Sequence, residues 1–243
     1  MNSFIKFLIA FSFSISIFAI KDILVGAYHF PPFYIKKHGA QSGVLFEIIE
    51  ELNKVQNKYR FKIIETSARR RYRDFTSNQF DMILFESPKW GWRERHIDYV
   101  MTPPFSFGGE KVIALKEGRN QTYLKQLEKK TILLFDGYHY GFLDYKINKK
   151  FDAKIIYTNS HEGNILSLLK GRGDIAIVTE SYLNIFFEKN SEVREKLIIS
   201  EHYDQKYDHR VLLTKSSRIS KDMVMSLLRQ IKDRSCCRKL FKF

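Results

Sequence analysis

Residues 164–181 read NILSLLKGRGDIAIVTES, and this stretch decides the fold class. A helical run over Glu162–Lys170 passes through a Gly-Arg-Gly-Asp turn into Ile175–Val178, an apolar segment of strand length. A helix that feeds straight into a buried strand is half of a crossover unit, the connection parallel strands require. The alternation continues in both directions. Upstream, strands are expected at Thr131–Phe135 (TILLF) and Ala153–Tyr157, with a helix over Phe142–Lys149. Earlier still, Asp22–Ala27 reads as a strand broken by Pro31-Pro32. Val44, Leu45, Ile48, Ile49, Leu52 and Val55 share one helical face, with Ser42 as a possible cap. Phe61–Glu65 follows as a strand, Arg69–Ser77 as a short helix and Met82–Phe85 as a buried strand. Near the end, Arg210–Thr214 reads as a strand, and Ile219, Met223, Val224, Leu227, Leu228 and Ile231 form an amphipathic helix face.

This pattern predicts an α/β class with largely parallel sheets. It occurs twice, from Asp22 to about Tyr99 and from Lys111 to about Ile199. Between the two sets lies PPFSFGG, residues 103–109, where Gly108-Gly109 is expected as a flexible joint. Two closely packed lobes with a cleft between them follow, and clefts beyond the carboxyl ends of strands are where small ligands bind.

Composition narrows the function classes. The 243 residues are 44% hydrophobic and 28% charged, which suits a packed core and excludes a disordered chain. Lys and Arg number 41 against 27 Asp and Glu, an excess that favours an anionic partner without choosing one. The only cysteines, Cys236 and Cys237, are adjacent, so neither a disulfide scaffold nor a four-cysteine zinc site is possible; two reduced thiols are expected. At the N-terminus, Lys6 precedes an uncharged run from Phe7 to Ile20, with Ala19 near a plausible cleavage point. That is the pattern of a cleavable signal peptide over residues 1–19, with an uncleaved anchor as the alternative; the run is short against the ~20 residues a membrane span needs. Export to the periplasm makes nucleic acid a poor partner, and no DNA-binding spacing appears.

Blocks of the sequence resemble the family 3 periplasmic solute-binding proteins, the type II fold of polar amino acid importers. VGAYHFPPFYI (Val25–Ile35) is similar to the family's opening strand and aromatic-proline turn. SGVLFEIIEEL (Ser42–Leu52) resembles its first helix, and NQFDMILF (Asn78–Phe85) its strand with an aspartate, here Asp81. WGWRERHIDYV (Trp90–Val100), the block ending in DGYHYG and the 164–181 stretch match further segments. The resemblance covers the whole exported chain. It implies a two-lobed fold with two chain crossings: residues 20–108 and 205–243 in one lobe, 109–204 in the other. It implies hinge closure on a small polar solute, anionic or amino-acid-like, and delivery to an inner-membrane ABC permease. A monomer with no cofactor is expected, and no metal, because no Cys/His partner stands at a suitable spacing from His139.

The resemblance also implies site residues. Arg93 falls on the arginine that clamps the ligand carboxylate, a task suited to a guanidinium's paired donors. Arg69 and Arg70 lie where the family places a ligand-facing side chain, or on a solvated helix face. Phe30 matches the aromatic that stacks on the ligand. Trp90 and Trp92 suit a cleft wall or the packing beneath it. Gly137, Tyr138 and His139 match a ligand-facing turn. The chain departs from the pattern at Glu86, Pro88 and Trp90, where the family has hydroxyl residues. It departs again at Thr179, where the family aspartate receives the ligand's amine, with Glu180 beside it. Two other functions stay open: a sensor subunit for a signalling receptor, and a dehydratase on the same fold using Glu86 and Glu180 as an acid/base pair.

Overall fold

The alternating apolar segment after residue 20 forms β1 (Lys21–Ala27), with Ile23 and Val25 fully buried. The structure is a computed structural model describing residues 20–37, 39–238 and 240–241; the expected signal segment lies outside the described residues. After β1 a Pro31-Pro32 turn leads into a short hairpin, β2 (Ile35–Lys37) and β3 (Ala40–Ser42). Helix α1 (Val44–Lys54) buries Leu45, Ile48, Ile49 and Leu52, the face its spacing predicts. Ser42 does not cap it: Ser42 ends β3, and Gly43 occupies the cap position. β4 (Tyr59–Glu65), α2 (Arg71–Thr76) and β5 (Met82–Glu86) complete the first set, and β1 pairs in parallel with both β4 and β5.

A short strand, β6 (Val100–Met101), precedes β7 (Ser106–Leu115). The second set then contains α3 (Gln121–Lys125), β8 (Thr131–Phe135), β9 (Lys154–Thr158), α4 (His161–Leu169), β10 (Ile175–Thr179), α5 (Glu180–Lys189) and α6 (Ser191–Arg194). β8 pairs in parallel with β9 and β10. The expected helix over 142–149 does not form. A single 3-10 turn, Gly141–Leu143, stands there, and Asp144 and Tyr145 take left-handed backbone that ends any helix. The Asp204 carboxylate accepts from the Gly141 and Phe142 amides at 2.7 and 3.0 Å and supports this turn from outside.

The two parallel sets are joined by β7 and β11 (Leu197–Leu213), an antiparallel pair running from Leu197 opposite Leu115 to His209 opposite Ser106, with register shifts between Ile199 and Tyr203 and between Tyr203 and Gln205. β7 continues the sheet through β10, and the end of β11 continues it through β5 and β6. The strand expected at Arg210–Thr214 is therefore the tip of a 17-residue strand. Gly108-Gly109 is no loose joint but part of β7. Its glycines are required because the Tyr207 and Tyr203 rings lie on them; an added Cβ would come within 2.5 and 2.3 Å of those rings. Helix α7 (Lys221–Gln230) returns to the first set, where Arg218 and Asp81 lash it down: Asp81 accepts from the Leu24 amide at 2.7 Å and from Arg218 Nε at 3.0 Å. Cys236 and Cys237 are free thiols.

Candidate functional site

The carboxyl ends of β1, β5 and β8 point toward the β7–β11 pair, and the loops that leave them meet around one small cavity. Tyr28, Phe30, Arg71 and Trp90 line it from the first set; Glu110, Gly137, Tyr138 and His139 line it from β7 and the β8 turn. Phe30 stands edge-on to Trp90 and Tyr138, with ring centroids 5.8 and 5.4 Å apart. Trp90 Nε1 donates to Gln205 Oε1 at 3.1 Å, and Gln205 Nε2 donates to Glu110 Oε2 at 2.7 Å. Gly137 has φ +78°, and an added Cβ would lie 2.8 Å from Ala68 across the cleft, so this closeness of approach needs glycine. The cavity holds about 10 Å³, roughly the room of one water.

The charges are buried with their partners. Arg71 and Glu86 are both fully buried, with Nε 3.0 Å from Oε1. Trp92 Nε1 donates to the other carboxylate oxygen at 2.7 Å. The guanidinium lies over the Tyr28 and Tyr72 rings, 4.7 and 4.3 Å from their centroids. Burial opposes its charge, but Glu86 keeps Arg71 firmly protonated. Burial pushes the Glu86 carboxyl upward while Arg71 and Trp92 pull it back. Phe85, at φ +59°, sits where the β5–β11 register shifts, and this kink ends β5 with the Glu86 side chain inside. Burial and the nearby Asp204 push the Glu110 carboxyl well above the usual carboxylate range, with the Gln205 hydrogen bond opposing. Burial and the cations Arg71 and Arg95 lower His139 to about 3. The Tyr138 hydroxyl and His139 Nδ1 have no hydrogen-bond partner, which leaves two polar atoms available at the cavity wall.

Of the residues singled out from the sequence, Phe30, Trp90, Tyr138 and His139 line the cavity. Glu86 and Trp92 sit behind it, fully buried. Arg93 is exposed and lines no part of it: in this turn Trp92 takes the inward position, and its neighbour points to solvent. Arg69 is exposed and pairs with Asp136 across the cleft, Nε donating to Oδ2 at 3.1 Å. Arg70 is exposed at the start of α2. Thr179 is buried with its hydroxyl unpartnered, and its register partner on β7 is Glu110. Glu180 is half-buried and accepts from the Tyr203 hydroxyl at 2.8 Å; neither it nor Glu86 lines the cavity, so the two make no acid/base pair there. Arg71 and Glu110 were not singled out. Arg71 shares a helix face with Phe75, the one local hint that it turns inward; Glu110 is the lone acid of β7. Among the described residues no group of His, Cys, Asp or Glu is placed to hold a metal ion, and no helix is long and apolar enough to cross a membrane.

The chain has the two-lobed α/β fold of the type II periplasmic binding proteins, with β7 and β11 as the two crossings. No protein-family model matches it, and no curated protein does. Solved structures do. Holo ArgBP from T. maritima is similar with a TM-score of 0.64 at 20% identity, over 88% of this chain and 92% of that one. The GluR0 ligand-binding core in complex with L-glutamate gives 0.67 at 16% identity, over 90% and 95%. The probable amino-acid ABC transporter extracellular-binding protein ytmK from Bacillus subtilis gives 0.68 at 18%, over 91% and 96%. At these identities the likeness carries the fold.

Proposed function

We propose that this protein is an exported solute-binding protein that closes two lobes, residues 20–108 with 205–243 and residues 109–204, around one amino-acid-like solute for an inner-membrane ABC permease. The observation that carries this reading is the small cavity walled from both sets of strands, with a buried guanidinium on one wall and a buried acid on the other. The resemblance to amino-acid transporter binding proteins supports the same solute class.

The chemistry favours a zwitterion over a simple anion. Glu86 already neutralises Arg71, so a lone carboxylate meets no net positive charge at depth. Glu110 is the acid that would face a solute amine, and it stands in register opposite Thr179, at the place where the resemblance leads one to expect an acid. The carboxylate would take the amides of the Gly137–His139 turn and the edge of Arg71. Phe30, Tyr138 and Trp90 enclose the side chain. A cavity of about 10 Å³ admits such a solute only after the lobes part, which makes β7 and β11 the hinge.

The test is native mass spectrometry of protein taken from its own periplasm, followed by a thermal-shift screen of the common amino acids. A solute held by the folded state alone raises the melting temperature, by RT ln(1 + [L]/Kd) in free energy. The expected result is a shift with at least one amino acid that Glu110→Gln weakens tenfold or more. No shift with any of them overturns the reading.

A further inference from the structure

A groove of about 730 Å³ opens beside the central cavity, between the turn after β1 and helices α4 and α5. His29, Pro31 and Lys36 face it from one side, and His161, Tyr182 and Ile185 from the other. His161 is the shared wall. Its ring lies 5.6 Å from Tyr138 of the central cavity and 5.2 Å from Tyr182 of the groove. It is 1% exposed, and neither ring nitrogen has a hydrogen-bond partner. A buried imidazole with both nitrogens unsatisfied is costly, which marks it as a group awaiting a partner. Burial, with His29 adding a little, lowers it to about 3; neutral, it offers one N–H donor and one acceptor.

A second feature points the same way. His161 begins α4, whose first-turn amides belong to those a helix leaves without an internal acceptor. Ser160 Oγ takes the Gly163 amide at 3.0 Å, leaving the end nearer the groove to attract negative charge. Lys189 stands on the rim, as does Lys36, whose ammonium is paired with Glu65; the lining holds a single acid, Glu162. The rest of the wall is mixed, with Asn159 and Asn190 beside an apolar patch of Pro31, Ile35, Tyr182, Ile185 and Phe186, of which Ile185 is 38% exposed.

We infer that this groove is a second binding site, separate from the central cavity, for a small carboxylate with an apolar body. The carboxylate accepts from the His161 ring N–H and the first amides of α4; the body lies on Ile185, Tyr182 and Pro31. Since the two walls come from opposite sides of the β7–β11 pair, occupancy favours the closed form.

Phenylacetate is the probe, with acetate (charge without body) and benzyl alcohol (body without charge) as controls. The readout is the His161 ring resonance of the full chain in a proton–carbon correlation spectrum, with saturation transfer to the probe. Phenylacetate should shift that resonance saturably and bind at least tenfold more tightly than either control. Ile185→Asp, a surface change that leaves the core untouched, should weaken it tenfold or more. His161→Phe, which keeps the aromatic packing, should do the same, while Glu110→Gln should leave it unchanged. Failure of phenylacetate to bind overturns the proposal, as does binding that ignores both groove variants. Binding that disappears with Glu110→Gln places the probe in the central cavity and equally overturns it.

Discussion

Glu86→Gln isolates the electrostatics on which the central site stands. At 3.0 Å and an effective dielectric of about 20, the attraction between Arg71 and Glu86 is on the order of 5 kcal/mol. Desolvating both groups takes back several kcal/mol each, so the pair as a whole contributes little net stability. Removing one member is a different matter. Glutamine keeps the volume and can still accept from Trp92, but it leaves the Arg71 charge buried without a counter-ion, at a cost of roughly 3–5 kcal/mol. The Tyr28 and Tyr72 rings offset part of that. For a chain of this size, about 2–4 °C per kcal/mol translates the loss into a melting temperature lower by roughly 6–20 °C. Scanning calorimetry of the parent, Glu86→Gln, Arg71→Met and the double variant closes a double-mutant cycle. The double variant should be more stable than Glu86→Gln alone, since no unpaired charge remains. Glu86→Gln should also bind a carboxylate solute more tightly, because the guanidinium is released to it. A Glu86→Gln protein melting within about 2 °C of the parent, with no coupling in the cycle, would refute the reasoning.

Further outcomes follow from other contacts. Arg69→Ala removes a half-exposed ion pair across the cleft and should change stability by no more than about 1 kcal/mol. It should nonetheless enlarge the radius of gyration in X-ray scattering without ligand, and an unchanged profile would show that the pair does not hold the lobes together. Asp81→Ala strips a buried carboxylate from the Leu24 amide and Arg218, and urea unfolding should read a loss of about 2–3 kcal/mol. His209 is lowered to about 3 by burial, with Asp208 opposing. Below its ordinary value near 6.5 the unfolded chain takes up a proton that the folded one refuses. It therefore lowers stability by about 1.4 kcal/mol per pH unit as pH falls from 6.5 toward 3, and not at all above 6.5. His209→Phe keeps the aromatic packing and should flatten the curve by that slope in this window alone; parallel curves for parent and variant would rule the account out.

What could be read in the sequence follows from local physics. α1, α4, β8 and β10 carry apolar periodicity strong enough to place each element, and their alternation called for parallel strands with crossovers. Phe30, Tyr138 and His139 were expected at a ligand-facing position only through the family resemblance, and they line the cavity together with Trp90, for which cleft wall and underlying packing had both stayed open. The long β11 was not. Its SEHYDQKYDHR portion, residues 200–210, has no apolar run, since this strand is held by its ladder to β7. Nor could local pattern reveal that residues 142–149 stop at one turn, because the Asp204 carboxylate that supports this turn lies 62 residues beyond Phe142 in the chain.

Chain order thus determined the α/β architecture, its two repeated sets and the neighbourhood of the cleft. Only the folded structure chose among Arg69, Arg70, Arg71 and Arg93, which look alike in a basic stretch. A guanidinium goes inward where a carboxylate and aromatic faces wait for it, and Glu86, Tyr28 and Tyr72 surround position 71 alone. Glu110 became part of the site for a similar reason: β7 lies beside β10, and that pairing, which no local pattern encodes, sets its acid opposite Thr179.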